Sequence, residues 1–152
     1  MIIVCFCFSI YQVSVLLVGD YGWKEKNIVG NMIIGIDFDG TCVTHDYPGI
    51  GKDIGAVTVL KRLVNSGHKL ILNTMRSGLK LQDAINWFKE NGIELYGANE
   101  NPTQKSWTDS PKVYAHLYID DAALGCPLKR DLNLSERPFV DWEVIERWLF
   151  ED

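Results

Sequence analysis

Acidic residues close two apolar runs that lie far apart in the chain. Asp37 and Asp39 follow the first run, and the pair Asp120 and Asp121 follows the second. Carboxylates that converge at one place repel one another, so they must share protons or hold a cation. Ligation by oxygen atoms alone suits Mg²⁺, which bridges a few carboxylates to a phosphate oxygen. These four residues therefore predict a magnesium site if the two runs end side by side.

The spacing of the first two acids allows them to do different jobs. One residue separates Asp37 from Asp39, which in an extended chain places both side chains on one side, and Gly40 permits a sharp departure of the backbone. One carboxylate can attack phosphorus to form an aspartyl phosphate. The other can protonate the leaving alkoxide and then deprotonate the hydrolytic water. A bound Mg²⁺ would neutralise phosphate charge and let the anionic carboxylate approach.

The elements that must position these acids alternate between strand and helix from Met32 onward. That alternation predicts an α/β domain, Rossmann-like and three-layered, with a mostly parallel sheet. We expect strands over 32–37, 70–74, 93–96 and 114–120, and a loop with one turn of helix over 99–110. Because open α/β sheets bind ligands outside the carboxyl ends of their strands, Asp37, Thr74 and Asp120 should meet at one edge.

Three helices are predicted between and after these strands. Asp53 should cap the first and Asp141 the last, while Asn91-Gly92 should end the second. The apolar stripes predicted for the three helices are Val57, Leu60, Leu63 and Val64; Leu81, Ala84, Ile85 and Phe88; and Val144, Ile145, Trp148 and Leu149.

Four motifs in order resemble those of the haloacid-dehalogenase-like superfamily of phosphohydrolases. They are Asp37-Phe38-Asp39-Gly40-Thr41, Thr74 at the end of its strand, Lys112 in Ser110-Pro111-Lys112, and Ile119-Asp120-Asp121. The resemblance covers roughly residues 32–128, so the expected domain spans 32–152. It implies that Asp37 is the nucleophile and a metal ligand. It also implies that Asp39 is the acid/base and gives its backbone carbonyl to the metal, that Asp120 binds Mg²⁺, and that Asp121 is a second metal-side or water-mediated carboxylate.

The phosphate side of the substrate is assigned by the same resemblance. The predicted contacts are Gly40, Thr41, Thr74, Arg76 and Lys112. Thr74 and Lys112 complete the catalytic set with Asp37 and Asp39. Lys105 is the alternative to Lys112, which has the more usual spacing. Arg76 is either a further phosphate ligand or a plain surface arginine.

The chain leaves no room for a full cap domain, the insertion that selects substrates in the resembled superfamily. Only 36 residues lie between Asp37 and Thr74, and one helix and one strand occupy most of them. An open site suits a large substrate, or a cover provided by a second subunit in a homo-oligomer. The segments 42–52 and 99–110 remain to contact the leaving group.

The sequence is compatible with three functions. The first is a phosphomonoesterase acting on a small molecule or a macromolecule, and the second is a phosphatase acting on nucleotide or nucleic-acid ends. The third is a regulatory phosphate-binding domain without turnover. A net charge of -5 gives no general attraction to nucleic acid or to anionic membranes, which disfavours the second function.

The cellular setting is inferred from the cysteines and the N-terminal segment. Four scattered cysteines without a Cys-x-x-Cys pair favour a reducing compartment, such as the cytoplasm. Residues 1–31 are a mostly apolar extension without the positive start of a signal sequence, and stable membrane insertion is not expected. They are a weak anchor or signal, an extra strand or arm packed on the domain, or an upstream extension of a chain that functionally starts at Met32. We favour the last interpretation because Met32 opens the first core strand.

Overall fold

The computed structural model describes residues 31–150. The three interpretations of the N-terminal extension 1–31 therefore concern a segment that, except for Asn31, lies outside the described residues. The elements in chain order are β1 (Ile33–Ile36), α1 (Ala56–Asn65), β2 (Lys69–Leu72), α2 (Gly78–Glu90), β3 (Leu95–Ala98), a 3₁₀ turn (Gln104–Ser106), β4 (Leu117–Ile119), β5 (Leu128–Lys129), β6 (Phe139–Val140) and α3 (Trp142–Phe150).

A parallel sheet with the strand order β3-β2-β1-β4 forms the centre of the domain. Its central strands are short apolar runs, and Ile34, Ile36, Leu70 and Leu72 are fully buried. Such continuous apolar runs are typical of parallel strands that are covered on both faces. The predicted α/β class with a largely parallel sheet flanked by helices, as in Rossmann-like folds, is confirmed.

The strand order creates a crevice beside β1. The chain runs from β1 outward to β2 and β3, and then returns to the other side of β1 as β4. Open α/β sheets bind ligands outside the carboxyl ends of two neighbouring strands, at the point where the strand order reverses. Here those strands are β1 and β4, which the acids at 37 and 120 follow directly.

Helix α1 begins two residues later than an Asp53 cap would give, because Gly55 with φ +95° is the residue before the helix. The Asp53 carboxylate still accepts hydrogen bonds from the backbone N–H groups of Gly55 and Val57, at 3.2 and 3.4 Å. The predicted Leu60 is fully buried, whereas Val57 is half-buried. The helix buries this face against the sheet and α3, which packs on it.

The third strand lies two residues further along the chain than predicted. The backbone N–H of Ile93 donates to the carbonyl of Phe88 at 2.9 Å, so Ile93 belongs to the turn that closes α2 and is buried there. Pairing with β2 therefore starts only at Leu95, opposite Leu70. The predicted turn of helix in the loop 99–110 is present at Gln104–Ser106. The antiparallel β5–β6 ribbon is a feature that the sequence analysis did not predict.

Within residues 31–150 no helix has the length and apolar character needed to cross a membrane. The two cysteines of this part, Cys42 and Cys126, are both free thiols.

Candidate functional site

The carboxyl ends of β1, β2 and β4 lie in one row. Ile36 is opposite Leu72 on one side and Ile119 on the other. The backbone N–H of Asp37 continues the ladder to the carbonyl of Ile119 at 3.0 Å, and that of Asn73 continues it to the carbonyl of Ile36 at 2.8 Å. The residues that follow the three strands therefore leave the sheet side by side, as the sequence predicted.

Three carboxylates converge at this edge, and we call Asp37, Asp120 and Asp121 the acid cluster. One oxygen atom from each lies within 4.8 Å of the others. All three side chains are half-buried. The carboxylate of Asp39 is not a member of the cluster, so three of the four carboxylates predicted to converge do so, and the predicted role of the Asp39 backbone carbonyl stays a prediction.

Burial and mutual repulsion shift the proton affinity of the central carboxyl. The pKa of Asp37 is raised from its ordinary 3.8 to about 7, first by desolvation and then by the charges of Asp120 and Asp121. Hydrogen bonds from the Phe38 backbone and the Thr41 hydroxyl act in the opposite direction, but they do not cancel the rise. An added cation between these oxygens would remove the cause of the repulsion.

The loop after β1 is fixed by hydrogen bonds from two directions. The Thr41 hydroxyl donates to Asp37 Oδ2 at 3.1 Å and accepts from the backbone N–H of Asp121 at 3.0 Å, so it joins the two ends of the acid cluster. The indole Nε1 of Trp142 donates to the Thr41 carbonyl at 2.6 Å. Gly40 has φ +86°, and a Cβ there would overlap the imidazole of His45, so only glycine fits this turn.

Asp39 has a partner of its own, and we call the two residues the Asp39–Arg76 pair. Arg76 donates from Nε to Asp39 Oδ2 and from Nη2 to Asp39 Oδ1, both at 2.7 Å. The Arg76 side chain is 1% exposed and that of Asp39 is 20% exposed. The alternative that Arg76 is a surface arginine is therefore wrong, because Asp39 draws its guanidinium inside the domain.

Thr74 and the two lysines lie in different surroundings. The backbone N–H of Thr74 donates to Asn99 Oδ1 at 2.8 Å, and its hydroxyl accepts from the backbone N–H of Arg76 at 3.2 Å. Lys112 and Lys105 are exposed on the loop after β3, and neither forms an ion pair with another residue of the range 31–150. The structure thus places Thr74 at the strand edge but does not bring Lys112 to the acid cluster. The phosphate roles of both residues stay predictions.

Residues 42–52, which we call the flap, follow the first motif and border a cleft. The flap is closed on itself, because Thr44 exchanges hydrogen bonds with Lys52. His45 Nε2 lies 3.2 Å from Asp121 Oδ2 and so connects the flap to the acid cluster. A cleft of about 400 Å³ separates the flap from the loop 134–137, and its lining includes His45, Lys52 and Arg137. His45 therefore belongs both to the lining of this cleft and to the contact with the acid cluster.

Comparison with known proteins gives a relative for this arrangement. No family model and no curated protein sequence matches the chain. A solved structure described as that of the conserved protein coded by a locus from Bacteroides thetaiotaomicron is similar, with 38% sequence identity and a TM-score of 0.64 over 78% of this chain and 88% of that one. The chain belongs to the same family as that conserved protein. Membership of this family supports the fold, whereas the chemistry of the site has to be inferred from its side chains.

The donor set at the acid cluster fits a hard divalent cation. It offers carboxylate oxygens from residues of two neighbouring strand ends, and no cysteine sulfur is among the three ligands. Oxygen donors in small number suit Mg²⁺, which keeps several of its waters. Asp37, Asp120 and Asp121 are the residues that would hold it.

Two contacts at the site do not follow from the sequence. His45 was grouped with the flap, but its approach to Asp121 depends on the turn at Gly40 and leaves no mark in the spacing. Trp142 precedes the predicted helix stripe, and its burial at 2% exposure against the first motif follows from a contact across 101 residues. The cap position of Asp141 directly before it was the one available signal.

Proposed function

We propose that this protein is a Mg²⁺-dependent phosphomonoester hydrolase with a haloacid-dehalogenase-like fold and no full cap. The observation that carries the proposal is the acid cluster, in which Asp37 from the end of β1 meets Asp120 and Asp121 from the end of β4. Its position at the crevice beside β1, directly after an Asp-x-Asp-x-Thr motif, supports a phosphoryl site rather than a structural cluster of acids.

The chain's own residues divide the reaction into two displacements. Asp39 enters the first displacement carrying a proton. A carboxylate oxygen of Asp37 attacks phosphorus, the bond from phosphorus to the ester oxygen breaks, and Asp39 gives its proton to the departing alkoxide and becomes a carboxylate. Asp39 then takes a proton from a water molecule, whose oxygen attacks phosphorus and releases Asp37 and inorganic phosphate. When bound, Mg²⁺ would neutralise phosphate charge and the charge of the cluster. Thr41 orients Asp37 through its hydroxyl hydrogen bond at 3.1 Å.

The proposed class of substrate is inferred from the open surroundings of the acid cluster. The acid cluster faces a flap and a cleft, and the substrate is a phosphorylated molecule whose leaving group lies toward His45 and Lys52. Thr74 at the end of β2, with Lys112 if its loop closes over the site, would hold the phosphate oxygens.

A second candidate is a phosphate-dependent regulatory domain without turnover. The observation that favours it is the Asp39–Arg76 pair, because the pair gives Asp39 a structural task that does not require proton transfer. In that case Asp37 would accept a phosphoryl group and keep it.

The test compares Mg²⁺-dependent hydrolysis of 4-nitrophenyl phosphate by the parent and by Asp37→Asn. We expect turnover that EDTA abolishes, and a loss of at least about 10³-fold in kcat for the variant, because the nucleophile is removed. Glu90→Gln is the matched control, since it also converts a carboxylate into an amide but lies exposed at the far end of α2. A parent that is inert on aryl, sugar and nucleotide phosphates with Mg²⁺ supplied, or an Asp37→Asn protein with full activity, would show that the proposal is wrong.

A further inference from the structure

The guanidinium of Arg76 is almost fully committed to partners within the protein. Two of its N–H groups form the two-pronged pair with Asp39 at 2.7 Å. Nη2 also donates to the carbonyl of Gly49 at 2.5 Å, and Nη1 lies 3.5 Å from the carbonyl of Pro48. Both carbonyls belong to the flap. Arg76 therefore connects the second acid of the first motif to the flap, directly and through one side chain.

Aromatic rings fix the plane of the same group. The guanidinium carbon of Arg76 lies 5.0 Å from the centre of the Phe38 ring and 5.3 Å from that of Tyr47. Phe38 is fully buried between Asp37 and Asp39, and Tyr47 is an exposed flap residue. Contacts with the faces of aromatic rings favour one orientation of the planar Arg76 guanidinium. Because the guanidinium donates two parallel hydrogen bonds to Asp39, it also fixes the orientation of the Asp39 carboxylate.

The pair leaves Asp39 able to exchange a proton. A two-pronged contact uses one lone pair on each carboxylate oxygen, and the other lone pairs stay available to a substrate oxygen or a water molecule. The donors of Arg76, by contrast, are taken up by Asp39 and the flap. This geometry suits a residue that orients another residue, and it does not suit a ligand of the substrate phosphate.

We infer that Arg76 is a positioning residue, which holds Asp39 in the orientation needed for proton transfer and makes that orientation depend on the closed flap. The inference rests on the proposed function. Arg76 directs its donors to Asp39 and the flap and not to the phosphate, so its removal should change the chemical step and leave phosphate binding unchanged.

The first test is a double-mutant cycle on kcat. General acid/base catalysis typically contributes about 10² to 10⁴-fold, so Arg76→Ala should lower kcat for an alkyl phosphate by about 100-fold with little change in KM. The loss should be about ten times smaller with 4-nitrophenyl phosphate, whose leaving group needs less help from an acid. In an Asp39→Asn background the same Arg76 change should cost less than about threefold, because the residue it serves is already disabled.

Two further variants keep the cycle decisive. Arg76→Lys retains the positive charge but cannot form the two-pronged hydrogen bond, so its kcat should lie between those of the parent and Arg76→Ala. It also tests the inference in a folded protein if Arg76→Ala misfolds. Arg62→Ala is the matched control, because Arg62 also pairs with a carboxylate, Glu146, at 2.9 Å and also covers a ring, that of Phe150, but lies exposed on α1. It should leave kcat unchanged.

The second test needs no activity. Hydrogen–deuterium exchange of the flap amides should become faster in Arg76→Lys and in Asp39→Asn, and stay unchanged in Arg62→Ala, because only the first two loosen the anchor of the flap. Equal exchange in all four proteins would refute the link between Asp39 and the flap.

The outcomes separate this inference from the proposed function. A parent that hydrolyses no ester overturns the proposed function and the part of Arg76 in proton transfer, while the exchange experiment still decides the link to the flap. An active parent in which Arg76→Ala raises KM, weakens inhibition by inorganic phosphate and adds fully to Asp39→Asn identifies Arg76 as a phosphate ligand and overturns the inference alone.

Discussion

Two acids of the same motif, Asp37 and Asp39, lie on either side of the buried Phe38 and have opposite electrostatic surroundings. Asp37 faces two further carboxylates, and within residues 31–150 no lysine or arginine pairs with the acid cluster. Asp39 faces a guanidinium held at 2.7 Å on both oxygens. The Asp39–Arg76 pair is electrically complete once the chain has folded. The acid cluster needs a proton or a cation from outside the chain.

The difference separates a part of the site whose charges are balanced by folding alone from a part whose repulsion a bound proton or cation would relieve. A paired carboxylate keeps the partner that folding gives it. A cluster of like charges changes its charge with pH and with added cations, and the stability of the fold changes with it. Each side of the comparison therefore has its own experimental signature.

The largest effect should come from protonation of Asp37. In EDTA its raised pKa contributes stability that is fully present below about pH 4, where the folded and unfolded states both hold the proton. That contribution falls as the pH rises toward about 7, because the unfolded chain releases the proton first. The loss amounts to at most roughly 4 kcal/mol of the free energy of unfolding, and it levels off above the folded-state pKa.

Asp37→Asn isolates this contribution from those of the other carboxylates. The amide cannot titrate, so the variant should gain stability relative to the parent as the pH rises from 4.5 to 7.5, measured by urea unfolding at each pH. A constant difference between the two proteins across this range would mean that burial and repulsion do not act on Asp37 as described.

The next effect compares two arginines. Arg76→Ala should lower the free energy of unfolding by about 3 kcal/mol, since it leaves the largely buried carboxylate of Asp39 without its partner. Arg62→Ala breaks an exposed pair with Glu146, and such pairs contribute less than about 1 kcal/mol. Equal losses in urea unfolding would contradict the claim that burial distinguishes the two pairs.

The smallest of the three is stabilisation by Mg²⁺. A ligand that binds only the folded state at a hundredfold excess over its Kd adds about 2.7 kcal/mol, so Mg²⁺ should raise Tm in a concentration-dependent way. Asp120→Asn should be as stable as the parent or more stable in EDTA, because one repelling charge is gone, and it should lose the response to Mg²⁺. A response that survives in this variant would place the cation elsewhere.

The parts of this site that the sequence predicted are those carried by local patterns. The apolar runs before Asp37 and before Asp120 predicted two strand ends, and the rule for parallel sheets predicted that those ends meet, which the register of Ile36 with Ile119 confirms. Thr74 follows from the same logic. These predictions succeed because an apolar strand pattern and the polar residue that follows it can be recognised from a few neighbouring residues.

The parts that were missed depend on contacts between distant segments. Arg76 looked like a phosphate ligand or a surface residue, and only the folded flap reveals that Asp39 and the carbonyl of Gly49 take up its donors. Ile93 carries an apolar side chain suited either to a strand or to the turn after a helix, and its hydrogen bond to the Phe88 carbonyl places it in the turn that closes α2. Residue type alone does not encode such choices.

The hydrogen bond from Trp142 to the Thr41 carbonyl determines when, during synthesis, the loop of the first motif is held in place. The backbone of Gly40 and Thr41 is held by donors from Val140 and Trp142, which the ribosome adds about a hundred residues after the motif itself. At translation rates of about 5–20 residues per second, the motif waits on the order of 5–20 s for these partners. A nascent chain that has made β1 to β4 thus has the carboxylates of the first motif and of the acid cluster but not the residues that hold the loop after β1. On the proposed function, hydrolysis should begin only after Trp142 has left the ribosome.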